Sequence, residues 1–305
     1  MNMSNNPVIS IIGFGRVGSH LYYSLKESGF KRIIKITRDS KDIYIKNAIK
    51  NSDIIFLCTK DSEIKNVVSE LNSIVNQFNE KIIYHTSGAL NSDLLIPLKR
   101  KGAIIGSFHP VQTFDNLTPK NSNSFKNIYI AIEGDTGAIK FGKSLALKLK
   151  AKSLFLSKEN KIIHHICCVI CSNYIVMLLA KIDEIWRKSL KISNNNSLSS
   201  KDKNVKINGF NKNKIFDIYK PLLMTTIQNV EKHGSIESLT GPIERNDLKT
   251  IDAHIKTLRK LFPESKPLFN ILGIETVKLA LRKGSISKSE SKNIISKFGF
   301  LNNSK

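Results

Sequence analysis

Lys161, His165, Cys168 and Ser172 recur at spacings of four, three and four residues, with Asn173 beside the last of them. On a helix this spacing gathers them on one face. The surrounding stretch, Ile162–Leu190, is otherwise strongly apolar. Reducing a ketone or an imine by hydride leaves negative charge on oxygen or a need for a proton on nitrogen. A Lys or His supplies that proton, and an Asn or Ser positions the acceptor. His164, Cys168 and Cys171 also invite a metal reading. Reduced cysteine packs as a small hydrophobe, however, and no complementary ligand set stands elsewhere, so no metal is expected.

A second group follows Leu239-Thr240-Gly241-Pro242-Ile243-Glu244. Arg245 near a helix start could clamp a carboxylate with its two-pronged guanidinium. Pro242 fits the first position of a helix running to Leu261, with Glu244 soon after. Asp247, Ile251 and His254 then share a face, and His254 either extends a polar wall or simply packs.

Such groups need a cofactor, and the start of the chain carries a candidate cradle. The apolar run Val8–Ile12 leads into Gly13-Phe14-Gly15-Arg16-Val17-Gly18, after which Val17, Leu21 and Leu25 recur at helical spacing up to Gly29. In a strand–turn–helix the first glycine permits the turn, the second admits a pyrophosphate, and the third lets helix and strand pack closely. The helix start then offers free N–H groups and its positive dipole end. The plainer alternative is a strand–turn–helix without a ligand. At the tip of the next strand, Arg32–Ile36, stand Thr37, Arg38, Asp39 and Ser40. Arg38, helped by Thr37 or Ser40, would take the 2′-phosphate of NADP(H). The rival reading puts Asp39 on a ribose and leaves Arg38 solvated.

Alternation of strands and helices continues to strand Ser153–Leu156, predicting a doubly wound α/β Rossmann-type sheet. Ligands bind beyond the carboxyl ends of such strands. Three segments fall there: Cys58–Asp61, including Thr59; Thr86–Ala89; and Ser107–Phe114. Asp61 reads as the N-cap of helix Ser62–Phe78. Ser87 and Gly88 make a turn against the cofactor or merely start a helix. His109, fixed by Pro110, touches nicotinamide or substrate, or is structural. Beyond Lys158 the strand signal disappears. The expected division is a dinucleotide-binding domain, 1–157, and an all-helical substrate and dimerisation domain, 158–305, with a mobile insertion at 192–214. Its later helices are predicted at Ile215–His233, Pro242–Leu261, Lys266–Lys283 and Ser287–Phe298.

The 305 residues are 41% hydrophobic, enough for ordinary cores, and no apolar run reads as a membrane span. Four cysteines without paired spacing suggest reduced thiols, and the first residues lack a signal pattern, so a cytoplasmic setting is expected. The net charge of +23 invites a nucleic-acid reading. The lysines are scattered rather than gathered with aromatics, so no such partner is expected. The charge would still draw anions such as NADPH or small carboxylates at long range.

Five blocks in order carry a family resemblance. They are Gly13-x-Gly15-Arg16-Val17-Gly18, His85-Thr86-Ser87-Gly88-Ala89 and Phe108-His109-Pro110-x-x-x-Phe114. His165, seven residues before Ser172-Asn173, is the fourth, and Leu239-Thr240-Gly241-Pro242-x-x-Arg245-x-Asp247 leading to His254 is the fifth. Over nearly its whole length the chain resembles the oxidoreductases that join a Rossmann-like domain to a DUF2520 domain, related to pyrroline-5-carboxylate reductase and 6-phosphogluconate dehydrogenase. It departs from them at His164, where Tyr is usual, and at Asn246, where Gly is usual. The resemblance implies an NADP-dependent reductase whose helical domain dimerises. It includes atypical ketopantoate reductases, which makes conversion of 2-dehydropantoate to pantoate the sharpest expectation. In that reading Arg245, perhaps with Lys161, clamps the keto acid, His165 or Lys161 donates the proton, and Asn173 positions the ketone. The alternatives are an imine reductase of the pyrroline-5-carboxylate type and a non-catalytic NADP(H) sensor. A pure binder would need none of His165, Asn173, Arg245 and Asp247.

Overall fold

The computed structural model describes residues 7–116, 122–196 and 215–299. Short apolar runs form the strands β1 (Ile9–Ile12), β2 (Ile33–Ile36), β3 (Ile54–Leu57), β4 (Ile82–His85), β5 (Ile104–Pro110), β6 (Tyr129–Gly134) and β7 (Lys152–Phe155). They assemble into one seven-stranded sheet in the order β2-β1-β3-β4-β5-β6-β7. Every pairing is parallel except β5 with β6, where Ser107 lies opposite Glu133. β1, β3 and β4 are wholly buried, as strands covered on both faces must be. Their alternate side chains feed two cores. One holds Ile9, Ile11, Phe56, Tyr84 and Phe108, the other Ile12, Ile55, Leu57, Ile83 and Ile105.

The helices α1 (Arg16–Glu27), α2 (Asp42–Asn51), α3 (Asp61–Ile74), α4 (Ile96–Lys99) and α5 (Thr136–Lys148) complete the doubly wound domain. After β7 come α6 (Asn160–Val169), a π turn at Ile170–Tyr174, and α7 (Ile175–Asn196). Then follow α8 (Ile215–His233), α9 (Leu248–Leu261), α10 (Lys266–Lys283) and α11 (Lys288–Lys297).

The chain forms two compact units, Met1–Val176 and Met177–Lys305. The strands end near the expected 157/158 boundary, yet the first unit continues through α6 because Lys161 is buried among the strand ends. In the second unit Ile251, Ile255, Val277, Ala280, Ile294 and Phe298 make a separate core. Gly273 admits the Phe298 ring, which would lie 2.4 Å from a Cβ there. Of the expected insertion at 192–214, positions 192–196 belong to α7, and the rest lies outside the described residues.

One expectation is corrected. The helix over Asn160–Ser189 contains an 18-residue window with a mean hydropathy of 2.0, so by length and composition alone it is apolar enough to cross a membrane. The histidines, Ser172 and Asn173 interrupt the apolar run to the eye. None of them is a formal charge, so the stretch from Ile162 to Ala180 contains no Lys, Arg, Asp or Glu.

Candidate functional site

The glycine turn is shaped by contacts that only glycine tolerates. Gly13 has φ +92°, and a Cβ there would lie 2.9 Å from the Cys58 carbonyl. A Cβ on Gly18 would lie 2.0 Å from the Gly13 oxygen. Around Gly15, by contrast, nothing stands within 4 Å. Gly15 is the N-cap of α1 and offers no side chain to the first N–H groups. Those groups and the dipole end thus form an open anion cradle. Beside it the Thr59 hydroxyl oxygen is buried without a hydrogen-bond partner, while its Cγ2 lies 3.0 Å from the Gly13 Cβ position.

The other residues expected to hold a cofactor are placed as follows. Val17 packs against the core. Phe14 meets Tyr22 edge-on at 5.4 Å, and Lys35 lies over both rings at 4.5 and 4.1 Å. Arg16 Nε donates to Asn116 Oδ1 at 2.7 Å. At the tip of β2, Thr37 and Arg38 are exposed, and the Thr37 N–H donates to the Ser40 hydroxyl at 3.0 Å.

A polar centre is built around Ser87, in the loop after β4. Lys161 Nζ, on the first turn of α6, donates to the Ser87 carbonyl at 2.8 Å and to Ser107 Oγ at 2.5 Å. The Ser87 hydroxyl donates to Asp61 Oδ2 at 2.6 Å and accepts from the Ala89 and Leu90 N–H groups. The Ser87 N–H donates to His85 Nδ1 at 3.2 Å. The other ring nitrogen of His85 lies 3.0 Å from the Asn91 carbonyl, so it carries the proton. Every hydrogen-bonding group of Ser87 is engaged, which fixes the loop.

Electrostatics separates the bases. Burial, reinforced by the Lys161 charge, pushes His85 down to about 4 and His109 to about 3, so both are neutral near pH 7. Burial also lowers Lys161 to about 8, while Glu133 and then Asp61 hold it up against that desolvation.

The histidines gather against Gly88. A Cβ on Gly88 would lie 2.7 Å from His109 Nε2 and 2.8 Å from His165 Nδ1. The His109 ring lies 5.6 Å from His164 and 6.4 Å from His165. Both His109 Nδ1 and His165 Nδ1 are buried without a partner, unlike the fully bonded His85. Buried polar atoms are ordinarily satisfied, so this pair of orphaned nitrogens points to a group that arrives from outside. His164 Nε2 meets Cys168 Sγ at 3.5 Å. The four cysteines are unpaired.

The structure therefore brings Lys161, His165, His109, Ser87 and Gly88 together. It does not bring Asn173 to them. The π turn holds Ser172, within reach of the Cys168 carbonyl at 2.7 Å and Asn173 Oδ1 at 2.9 Å, and Asn173 is exposed. At the rise of a helix, Asn173 stands roughly 18 Å along the axis from Lys161.

Other expectations change. Asp61 is the first residue of α3 rather than its N-cap, and its carboxylate serves Ser87. α9 begins at Leu248, not Pro242, with Asp247 as N-cap accepting from the Thr250 N–H at 3.1 Å and hydroxyl at 2.7 Å. Those bonds, aided by Arg245, hold the Asp247 carboxyl below its usual range. Asp247 thus has a structural occupation, and Arg245 lies in the turn before it. His254 is exposed while Ile251 is buried, so the two do not share a packed face. Asn246 interrupts the helix with φ 52°, the left-handed conformation in which Gly is most at ease. Its side chain donates to Glu290 at 2.7 Å.

Sequence reasoning missed Ser107 and Glu133. Ser107 lay in a segment placed at a strand end, but the acceptor role of its hydroxyl left no mark in the spacing. Glu133, a single acid ending an apolar strand, was a visible anomaly.

The family model for a Rossmann-like domain matches residues 6–110, and that for a domain of unknown function, DUF2520, matches residues 128–276. The chain belongs to the proteins that join these two domains. No curated protein sequence matches it. Among solved structures it is similar to protein TM1727 of Thermotoga maritima, with 20% identity and a TM-score of 0.64 over 91% of this chain and 100% of the other. Protein BF3122 of Bacteroides fragilis, assigned as an NADP oxidoreductase, has 20% identity and a TM-score of 0.62 over 95% and 98%. A Plasmodium falciparum pyrroline carboxylate reductase, solved with NADP bound, has 11% identity and a TM-score of 0.56 over 97% and 100%. These likenesses describe the fold.

Proposed function

We propose that the protein is an NADPH-dependent reductase of a small carbonyl or imine compound. The observation that carries this reading is the convergence of a buried lysine and two orphaned imidazole nitrogens on the loop after β4, in the same unit as the glycine cradle. Gly13–Gly18 with Thr59 would hold the pyrophosphate, and Thr37 and Arg38 the 2′-phosphate. Bound NADPH supplies hydride to the carbonyl or imine carbon.

Lys161 then supplies the proton. Its ammonium has three N–H groups, of which Ser87 and Ser107 take two. With its pKa lowered to about 8 it remains mostly charged at neutral pH, yet gives up a proton more readily than an ordinary lysine. His109 is too weak a base to be charged and serves as a neutral hydrogen-bonding group. His165 Nδ1 holds the substrate's reacting oxygen or nitrogen. As the C=O or C=N double bond takes up hydride at carbon, the Lys161 proton passes to oxygen or nitrogen. Neutral Lys161 is reprotonated from solvent after product leaves.

Within this class the first substrate to try is 2-dehydropantoate, giving pantoate. A second reading, reduction of a cyclic imine such as pyrroline-5-carboxylate, is favoured by the fold shared with the pyrroline carboxylate reductase. We assign the apolar face of Ile162, Ile163, Ile166, Ile170 and Val176 to a second copy of the chain, since these side chains are 49–66% exposed. With its four thiols unpaired, a cytoplasmic setting is part of the same proposal.

The test is loss of NADPH absorbance with ketopantoate, with pyrroline-5-carboxylate, or with neither. Oxidation with ketopantoate alone supports the first substrate, and with the imine alone the second. Tight NADPH binding without turnover on a broad panel of ketones and imines would overturn the enzymatic reading.

A further inference from the structure

A lysine and a glutamate in the first unit are all but inaccessible to water: Lys161 at 1% exposure and Glu133 at 2%. An ammonium this deeply placed is costly to keep charged without a compensating charge of opposite sign. Glu133 sits on β6 directly across the antiparallel ladder from Ser107, and Ser107 Oγ is the atom that accepts from Lys161 Nζ at 2.5 Å. Side chains of directly opposed residues stand on the same face of a sheet. Both oxygens of Glu133 accept hydrogen bonds, from the Ser92 N–H at 2.8 Å and the Ser92 hydroxyl at 2.6 Å. Two acceptors and no donor describe an ionised carboxylate, locked in one orientation.

We propose that Glu133 is a positioning residue, a buried counter-charge that acts beyond Ser107 to keep the Lys161 ammonium protonated in the resting site. This deepens the reading of Lys161 as the proton source and rests on it.

The other charged and titratable groups around Lys161 do not fill this role. His85 from β4 and His109 from β5 are neutral near pH 7. His164, His165 and Cys168 share the lysine's own helix and bring no fixed negative charge. Asp61, at the start of α3, is exposed and reaches Lys161 only through Ser87. Water screens a charge there far more than one inside the sheet. Lys158, a surface cation one turn before Lys161 in sequence, is engaged by Asp93. In agreement with this geometry, Glu133 is the strongest influence opposing the desolvation of Lys161, ahead of Asp61.

The experiment follows Lys161 itself. Protein labelled with 13C and 15N in lysine is titrated by NMR, the Lys161 signal being the one absent from Lys161→Met. In Glu133→Gln the midpoint is expected to fall by about one pH unit or more, as for loss of a close opposite charge. In Asp61→Asn it moves less, and in Glu133→Asp, which keeps the charge one methylene farther away, it lies between. The basic limb of the kcat–pH profile should shift with the NMR midpoint. A midpoint unchanged in folded Glu133→Gln overturns the proposal. If that variant does not fold, an unchanged midpoint in Glu133→Asp does the same. A midpoint that falls without moving the kcat limb upholds the coupling and instead removes Lys161 from the proton-donor role.

Discussion

Lys161 Nζ donates to the carbonyl oxygen of Ser87 at 2.8 Å, tying the first turn of α6 to the loop that follows β4. The bond joins two blocks 74 residues apart and sets the lysine beside the histidines that flank Gly88. Position and protonation of one amine therefore depend on a backbone carbonyl, which no side-chain replacement at Ser87 can delete. This relationship makes the site testable residue by residue.

Replacing Lys161 by Met should remove the proton source while sparing the glycine cradle. Turnover is expected to drop by about 10²–10⁴-fold, with NADPH affinity nearly unchanged. For the parent protein the sign of the pH dependence follows from the acid role. The rate holds while the ammonium is present and declines as pH rises through about 8. Steady-state kinetics across pH and fluorescence titration with NADPH check both statements.

Gly88→Ala places a methyl group 2.7 Å from His109 Nε2 and 2.8 Å from His165 Nδ1. Both rings must move. We expect kcat to fall on the order of 10²-fold, the usual penalty for displacing reactive groups by about an ångström. Circular dichroism should remain that of the parent, because the methyl group meets movable side chains. Undiminished turnover would detach these histidines from the chemistry.

Arg38→Ala probes the choice of cofactor. Losing a charged hydrogen-bonding fork to a phosphate costs about 1.5–3 kcal/mol, so NADPH should bind more than tenfold more weakly. NADH binding should hardly change. Equal weakening of both would favour Asp39 on the ribose and a different origin for phosphate recognition.

Asn246 adopts φ 52° in the turn before α9. Asn246→Val forces a branched side chain into that conformation and is expected to destabilise the protein by about 1–2 kcal/mol. Asn246→Gly relaxes the backbone but loses the bond to Glu290, leaving stability within about 1 kcal/mol of the parent. Thermal melts of the two variants distinguish these outcomes.

These residues also indicate what a linear reading captures. The seven strands, and the spans of α8 and α10, follow from apolar runs and periodicity alone, since each element satisfies its own local rules. The glycine turn is legible for the same reason. Where tertiary contacts decide, the reading falters. Asp61 looks like a cap by position, but a serine from another loop claims its carboxylate. The start of α9 shifts from Pro242 to Leu248 because a non-glycine residue takes a left-handed bend. Glu133 acquires meaning only once the antiparallel register sets it opposite Ser107.

The wide turn at Ile170–Tyr174 stores one residue more than an unbroken α-helix of the same length. That surplus sets a phase difference of about 100° between the side chains before it and those after. Removing any single residue from the five would let the turn close to an ordinary α-helix, leaving the phase of the following residues almost untouched. The turn thus carries its surplus as a whole residue, and a one-codon deletion is the smallest edit able to take it out.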